Sequence, residues 1–154
     1  MTQRVDLATV MDRLAIDELI TGYALAVDDA DWTAYGRLFT PDAHVDYRGA
    51  GGIAGPVGEV ASWLAQSLRR SPVRQHLILN RLVRLEDRDG FPGDRAEARA
   101  EYLNPVPLGG FLGGGRYRFG LRRTEDGWRL HEVEVRERWR RAPGAPVPDA
   151  PAPG

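Results

Sequence analysis

The chain of 154 residues contains no cysteine and only two methionines. Without cysteine there is no disulfide framework, no thiol nucleophile and no thiolate metal site, and nothing implies secretion. An excess of one charge is also lacking. The 21 basic and 22 acidic side chains leave a net charge of −1, which argues against nucleic acid or an anionic membrane surface as the main partner. No apolar run approaches membrane-spanning length, and the N-terminus lacks the basic region and apolar core of a signal peptide, so a cytoplasmic location is expected. Histidine is scarce. The three present are scattered without helical or turn spacing, so no metal site is expected. Gly113-Gly114-Gly115 has neither the strand–turn–helix context nor the lysine of a phosphate loop, which excludes a nucleotide reading.

What is present fits one globular domain, with 42% hydrophobic and 28% charged residues and enough chain for a real core. The chain is organised around the stretch from Leu14 to Asp28. Ile16, Leu19, Ile20, Tyr23, Ala24 and Val27 recur at three- and four-residue steps, which predicts a helix with one buried stripe from about Leu7 to about Asp28. Asp28 lies four residues past Ala24 on that stripe, where a carboxylate needs either a partner or a task. Asp29 or Asp31 would cap a short helix from Trp32 to Leu38. Thr40-Pro41-Asp42 breaks it, and Ala43–Tyr47 alternates as a short strand with Ala43, Val45 and Tyr47 on one face. A Gly-rich loop follows, then a third helix over Val57–Leu68.

Beyond Ser71-Pro72 the period changes to two. One strand is expected over Arg74–Leu85, with Leu77, Leu79, Val83 and Leu85 on one side and His76, Ile78, Asn80 and Leu82 on the other. A second covers Asp94–Asn104, with Ala96, Ala98, Ala100 and Tyr102 inward, small residues that leave space. Pro105–Gly115 reads as a loop carrying Phe111 and Leu112 that could act as a lid. Arg116–Arg123 places Tyr117, Phe119 and Leu121 inward. In Trp128–Trp139 the apolar phase switches from even to odd, which predicts a bulge near His131-Glu132. Residues 142–154 are rich in Pro, Ala and Gly and read as a disordered tail, leaving 1–141 as the single domain. The order of elements gives an α+β fold, a curved antiparallel sheet with three helices in its concave face.

Asp28 is the first candidate for chemistry, with helix capping as its ordinary alternative. His76 sits near the start of a strand, where most histidines are simply core or surface residues. If its face is the concave one it can reach Asp28, and a buried Asp–His pair holds the imidazole tautomer for proton transfer near neutral pH. His44 and His131 alternate with inward residues and suit the role less well. Tyr23 and Tyr47 fall on inward faces. Most buried tyrosines are core, yet two beside such a pair could donate to a carbonyl or enolate oxygen.

These residues resemble those of the SnoaL-like branch of the NTF2-like superfamily, which includes scytalone dehydratase and the bile-acid dehydratase. The resemblance runs over roughly Leu14 to Trp139. It rests on Ile16-Asp17-Glu18-Leu19-Ile20 with Tyr23, Asp28-Asp29-Ala30-Asp31-Trp32, Leu38-Phe39-Thr40-Pro41-Asp42, Val45-Asp46-Tyr47, His76 with Asn80, and Asp126-Gly127-Trp128-Arg129. It implies a cone-shaped fold in which Asp28 matches the dehydratase aspartate and His76 the histidine on the sheet. Tyr47 and Tyr23 match substrate-facing tyrosines. The second histidine of scytalone dehydratase is replaced by Glu101 or Tyr102, and its pocket asparagine falls at Arg118. The fold hosts many reactions.

The expected function is a cofactor-independent dehydratase acting on a cyclic or polyketide-like carbonyl substrate through Asp–His general acid/base catalysis. The alternatives are a cyclase or isomerase, or a non-catalytic module that binds an apolar ligand or assembles like an oxygenase small subunit. Asp28, His76, Tyr23 and Tyr47 are the expected catalytic residues. Trp63, Ile78, Asn80, Tyr102, Asn104, Tyr117 and Phe119 are expected to line the substrate site. The expected partners are a small apolar or polycyclic substrate and a second copy of the chain. The outer strand faces carry Arg95, Glu97, Arg99, Glu101, Arg116, Arg118, Glu132 and Glu134 in mixed sign, a pattern that suits self-pairing.

Overall fold

The computed structural model describes residues 6–71, 73–105 and 112–141. The expected lid tip at Phe111 and the expected tail at 142–154 lie outside the described residues. Helix α1 covers Leu7–Asp28, started by the Asp6 carboxylate accepting from the Ala8 N–H. Ile16, Ile20, Tyr23, Ala24 and Val27 are all buried on its inner stripe, and each of the larger aliphatic side chains contributes roughly 1.5–3 kcal/mol by leaving water. Ala30 turns the chain in a left-handed conformation, φ 53°. Asp31 then caps helix α2, Trp32–Arg37, through the Ala34 N–H at 2.9 Å.

Strand β1 spans Phe39–Gly49, longer than the alternation predicted, with Pro41 tolerated inside it. The Gly-rich loop doubles back as a short strand β2, Ala54–Pro56, paired antiparallel with β1. Helix α3, Val57–Ser67, ends in a 3-10 turn, Leu68–Arg70. Four long strands complete the chain: β3 (Leu77–Arg88), β4 (Phe91–Pro105), β5 (Leu112–Thr124) and β6 (Gly127–Arg141). Leu112–Gly115 therefore belongs to a strand and not to a lid loop.

The sheet order is β2-β1-β6-β5-β4-β3. All neighbours are antiparallel except β1 and β6, which run parallel with Val45 beside Val133. This one parallel pair closes the long excursion from the helical half back onto the last strand. The sheet curves without closing, since β2 and β3 remain its edges. Its curvature has identifiable causes. Strand β6 carries an extra residue at His131 and another at Arg138, where its register against β5 shifts, and bulges bend a strand. The first accounts for the expected switch of phase: Trp128 and Leu130 are buried before it, Val133 and Val135 after it.

Strand β3 holds a bulge that sequence alternation does not show. Register against β4 breaks between Leu79 and Leu82, and Asn80 takes a left-handed conformation, φ 50°. The single inward face expected for β3 is thereby split. Ile78 is buried, whereas Leu77, Leu79 and Asn80 face solvent, and Val83 and Leu85 return inward.

The three alanines of β4 are buried as expected, but their small size serves packing. Ala98 and Ala100 pair with Phe119 and Tyr117 on β5, whose rings stack at 5.2 Å. Tyr23 of α1 meets both rings edge-on at 5.6 and 5.7 Å, the favoured geometry for aromatic quadrupoles. Alanine on β4 makes room for this aromatic layer between helix and sheet.

Burial pushes the hydroxyls of Tyr35 and Tyr102 up from 10.0 to about 12. These groups ionise in the unfolded chain first, so their stabilising contribution is intact below pH 10 and is lost as pH rises from about 10 through about 12. We expect a flat urea midpoint from neutral pH to about pH 9, then a steep fall, with tyrosinate absorbance rising together with the loss of structure. Ionisation of these tyrosines near pH 10 in a still-folded protein would contradict this packing.

Candidate active site

Asp28 is the last residue of α1, and its carboxylate faces the segment that leads into β3. It accepts the backbone N–H of His76 at 3.0 and 3.1 Å and contacts the His76 ring Nδ1 at 2.5 Å. Both side chains are largely shielded, 16% and 11% exposed respectively. The pair expected from the sequence is therefore formed directly, without an intervening water. His76 lies one residue before β3 begins and not on the strand itself. With Nδ1 committed to the carboxylate, Nε2 is the nitrogen left for chemistry.

Arg74, which alternation marks only as the first residue of a strand, fixes this arrangement. Its guanidinium donates to the carbonyls of Val27 and Asp28 at 3.3 and 3.2 Å, and to those of Leu68 and Ser71 at 3.0 and 2.6 Å. The last carbonyls of a helix lack intrahelical partners and carry partial negative charge. One planar cation thus ties the end of α1 to the turn after α3 and holds the His76 segment against Asp28.

Facing the pair is a cluster of phenols. The Tyr23 and Tyr47 hydroxyls are hydrogen-bonded to each other, and Tyr35 of α2 reaches the Tyr47 hydroxyl at 3.1 Å. Burial, first of all, pushes Tyr23, Tyr47 and Tyr117 upward, the first two far above the usual phenol value. All three are neutral donors at physiological pH. Tyr35 is the polar support of this cluster.

Between pair and phenols lies a cavity of about 150 Å³, a volume that in an engineered apolar cavity accepts a benzene ring. Tyr23, Val27 and His76 form one wall, and Trp63, Leu64 and Leu68 of the α3 region form another. Tyr47, Ala50 and Gly52 close the β1 side, while Tyr102, Asn104, Tyr117, Val135, Glu137 and Arg140 come from the sheet. A Cβ on Gly52 would stand 2.8 Å from both the Trp63 ring and the Tyr47 Cβ, so glycine lets the loop seat these two walls.

Of the residues expected to contact substrate, Trp63, Tyr102, Asn104 and Tyr117 line the cavity. Three do not. Phe119 is fully buried behind Tyr117, Ile78 packs inward opposite Tyr102, and the β3 bulge turns Asn80 out to solvent. Where a second histidine might have stood, Tyr102 faces the cavity, whereas Glu101 faces outward and pairs with Arg116 at 2.7 Å. Arg118 is also outside, against Glu132 and Glu134. His44 is exposed, and His131 is bound to Thr40 at 2.8 Å away from the cavity. Glu137 and Arg140 were missed. The odd phase of Val133 and Val135 runs on to Glu137 and could have revealed it; Arg140 comes inward only through the bulge at Arg138.

An open curved sheet cupping helices, with an Asp–His pair and phenols around a mostly apolar cavity, is an architecture of the NTF2-like type. The chain belongs to the SnoaL-like domain family, whose pattern matches residues 8–134. It is 36% identical over 131 residues to the uncharacterized protein Rv2910c of Mycobacterium tuberculosis, covering 82% of this chain and 85% of that one. An NTF2-like protein with a cystatin-like fold from Novosphingobium aromaticivorans superposes with a TM-score of 0.70 at 24% identity, over 84% of each chain. The hexachlorocyclohexane dehydrochlorinase LinA-type3 of Novosphingobium barchaimii gives 0.75 at 19% identity, over 96% of this chain and 100% of that one. These two likenesses show the fold.

Replacing Arg74 with alanine removes four bonds from a charged donor, each pair of which organises a helix end or a turn. We expect a loss of about 1.5–3 kcal/mol, read as a fall of roughly 3–10 °C in Tm. An unchanged Tm would show that the segment before β3 is held by other contacts.

Proposed function

We propose that the protein is a dehydratase that eliminates water from a cyclic or polyketide-like carbonyl compound by way of an enolate, using only its own side chains for proton transfer. The observation that carries this reading is the 2.5 Å contact between Asp28 and His76 at the wall of a cavity whose other side presents neutral phenols. Asp28 holds the imidazole with Nδ1–H toward the carboxylate. Nε2 then takes the proton α to the substrate carbonyl. As that C–H bond breaks, charge moves to the carbonyl oxygen, where Tyr47 donates a hydrogen bond while Tyr23 and Tyr35 donate to Tyr47 in support. The imidazolium, stabilised by Asp28, returns the proton to the β-hydroxyl; the C–O bond breaks, the enolate collapses to the conjugated carbonyl product, and water leaves.

An unfilled cavity beside an acid/base pair supports an enzyme over an assembly subunit. Cyclisation and isomerisation begin with the same abstraction. The dehydrochlorinase of the same fold is named for an elimination, of hydrogen chloride; at its level of identity that likeness bears on the fold alone.

The test is a panel of cyclic β-hydroxyketones, followed by enone absorbance and by exchange of the α-hydrogen in D2O. His76→Ala should lower turnover by roughly two to four orders of magnitude. Asp28→Asn should cost a similar factor, and the double variant little more, because groups acting as a unit are not additive. Tyr47→Phe should cost about tenfold to a few hundredfold. A His76→Ala protein as active as the parent would overturn the mechanism.

We also infer a homodimer through the convex sheet face. There Leu77 and Leu79 are 38% and 43% exposed, among ladders such as Arg99 with Glu97 and Arg116 with Glu101. Matched charges around apolar breaks suit a self-complementary two-fold contact. Light scattering at micromolar concentration should give twice the chain mass; a monomer would refute the contact.

A further inference from the structure

Trp63 is the largest side chain in the cavity wall, and the proposed chemistry gives it no part. The tyrosines around it, Tyr23, Tyr47, Tyr102 and Tyr117, are set in the core at 2–6% exposure. Trp63 is partly buried, packed against the margin of that core. It stands on α3 one residue before Leu64, which is buried and lines the same cavity.

What stands behind the indole is fixed. The chain from Tyr47 to Ile53 is closed by four backbone hydrogen bonds at 2.8–3.1 Å. Tyr47 donates to the Ile53 carbonyl, Ala50 and Gly52 donate to that of Tyr47, and Gly51 donates to that of Arg48. Gly51 takes the left-handed conformation that so tight a path needs, φ 83°. At Gly52 a Cβ would come within 2.8 Å of the indole Cη2 and of the Tyr47 Cβ. The absence of that atom lets the indole sit directly on the loop, with no room to retreat from the cavity. The space in front of it measures about 150 Å³, enough for one six-membered ring. A second fused ring has to displace a wall, and the one wall outside the core is the indole that the loop holds in place.

We propose that Trp63, seated on Gly52, is a specificity-determining residue that limits the cavity to a single ring. The inference rests on the cavity being the substrate site, and it deepens that reading by setting the substrate's size. Fused bicyclic and larger compounds are excluded. This is selectivity by repulsion, and apolar affinity works against it. Each further methylene that found room in the cavity would strengthen binding roughly fourfold. A larger ketone that binds more weakly than a smaller one is therefore a ketone that does not fit.

The test is binding, read by NMR titration with cyclohexanone and with its fused bicyclic homologue 2-decalone. Neither carries a β-hydroxyl, so the proposed elimination consumes neither. The wild type should bind cyclohexanone roughly tenfold or more tightly than 2-decalone. Trp63→Leu should reverse that order by opening space where the indole stood. Gly52→Ala acts in the opposite sense: its methyl group pushes the indole toward the cavity and should weaken cyclohexanone binding about tenfold. Trp63→Phe is the comparison if the leucine variant does not fold, and should narrow the preference. A wild type that binds the bicyclic ketone as tightly as the monocyclic one overturns the inference. Binding of neither ketone does so too, as does an unchanged order in the Trp63 variants. Asp28→Asn disables the proposed base without altering the wall and should keep the size preference, so a failure of the chemistry and a failure of the size limit are read separately.

Discussion

The carboxylate of Asp28 is the constraint on which the rest of the site depends. A helix buried along one stripe ends in a charge, and that charge has to be met within the fold. It is met twice by one residue, through the backbone N–H and the ring nitrogen of His76. The contact therefore fixes both the path of the chain into β3 and the orientation of the imidazole. Arg74 completes the arrangement from below by neutralising the carbonyl end of the same helix. Remove the carboxylate and the imidazole loses its tautomeric restraint; remove the guanidinium and the segment carrying it loses its anchor.

The phenols across the cavity illustrate a second constraint. Three hydroxyls from α1, α2 and β1 converge in a place where water is scarce, and each can be satisfied only by another. Burial keeps them protonated. Their two mutual bonds leave one proton of the cluster free for the cavity, a preorganised donor of the kind that stabilises developing negative charge without reorganisation. Stability and candidate chemistry thus draw on the same bonds.

The sheet supplies shape through its irregularities. Regular strands would alternate inward and outward without exception, and each bulge resets that alternation. The extra residue at His131 brings Val133 and Val135 inward, and the one at Arg138 turns Arg140 to the cavity beside Glu137. The bulge at Asn80 does the opposite on β3 and removes that residue from the site. Which polar groups reach the cavity is decided at these three places.

Local period makes the first helix and its inward stripe, the α+β class and the alternation of β4 and β5 legible in the chain, and it marks Asp28 as a charge in need of a partner. Each follows from a period or a misplaced charge that local chain geometry makes legible. It could also reveal one bulge, because apolar residues on both sides of His131 mark the change of phase. Everything else, including which residue meets Asp28, depends on contacts between distant parts of the chain. The parallel β1–β6 pair joins residues far apart in the chain, and the roles of Arg74 and Tyr35 exist only once distant carbonyls and hydroxyls are brought to them. The bulge at Asn80 lies between Leu77-Ile78-Leu79 and Leu82-Val83, apolar on both faces, and the one at Arg138 is followed only by Trp139 and two arginines, so no alternation records either shift. Periodicity reports which side of an element is buried; it carries no information about which groups from other elements will be waiting there.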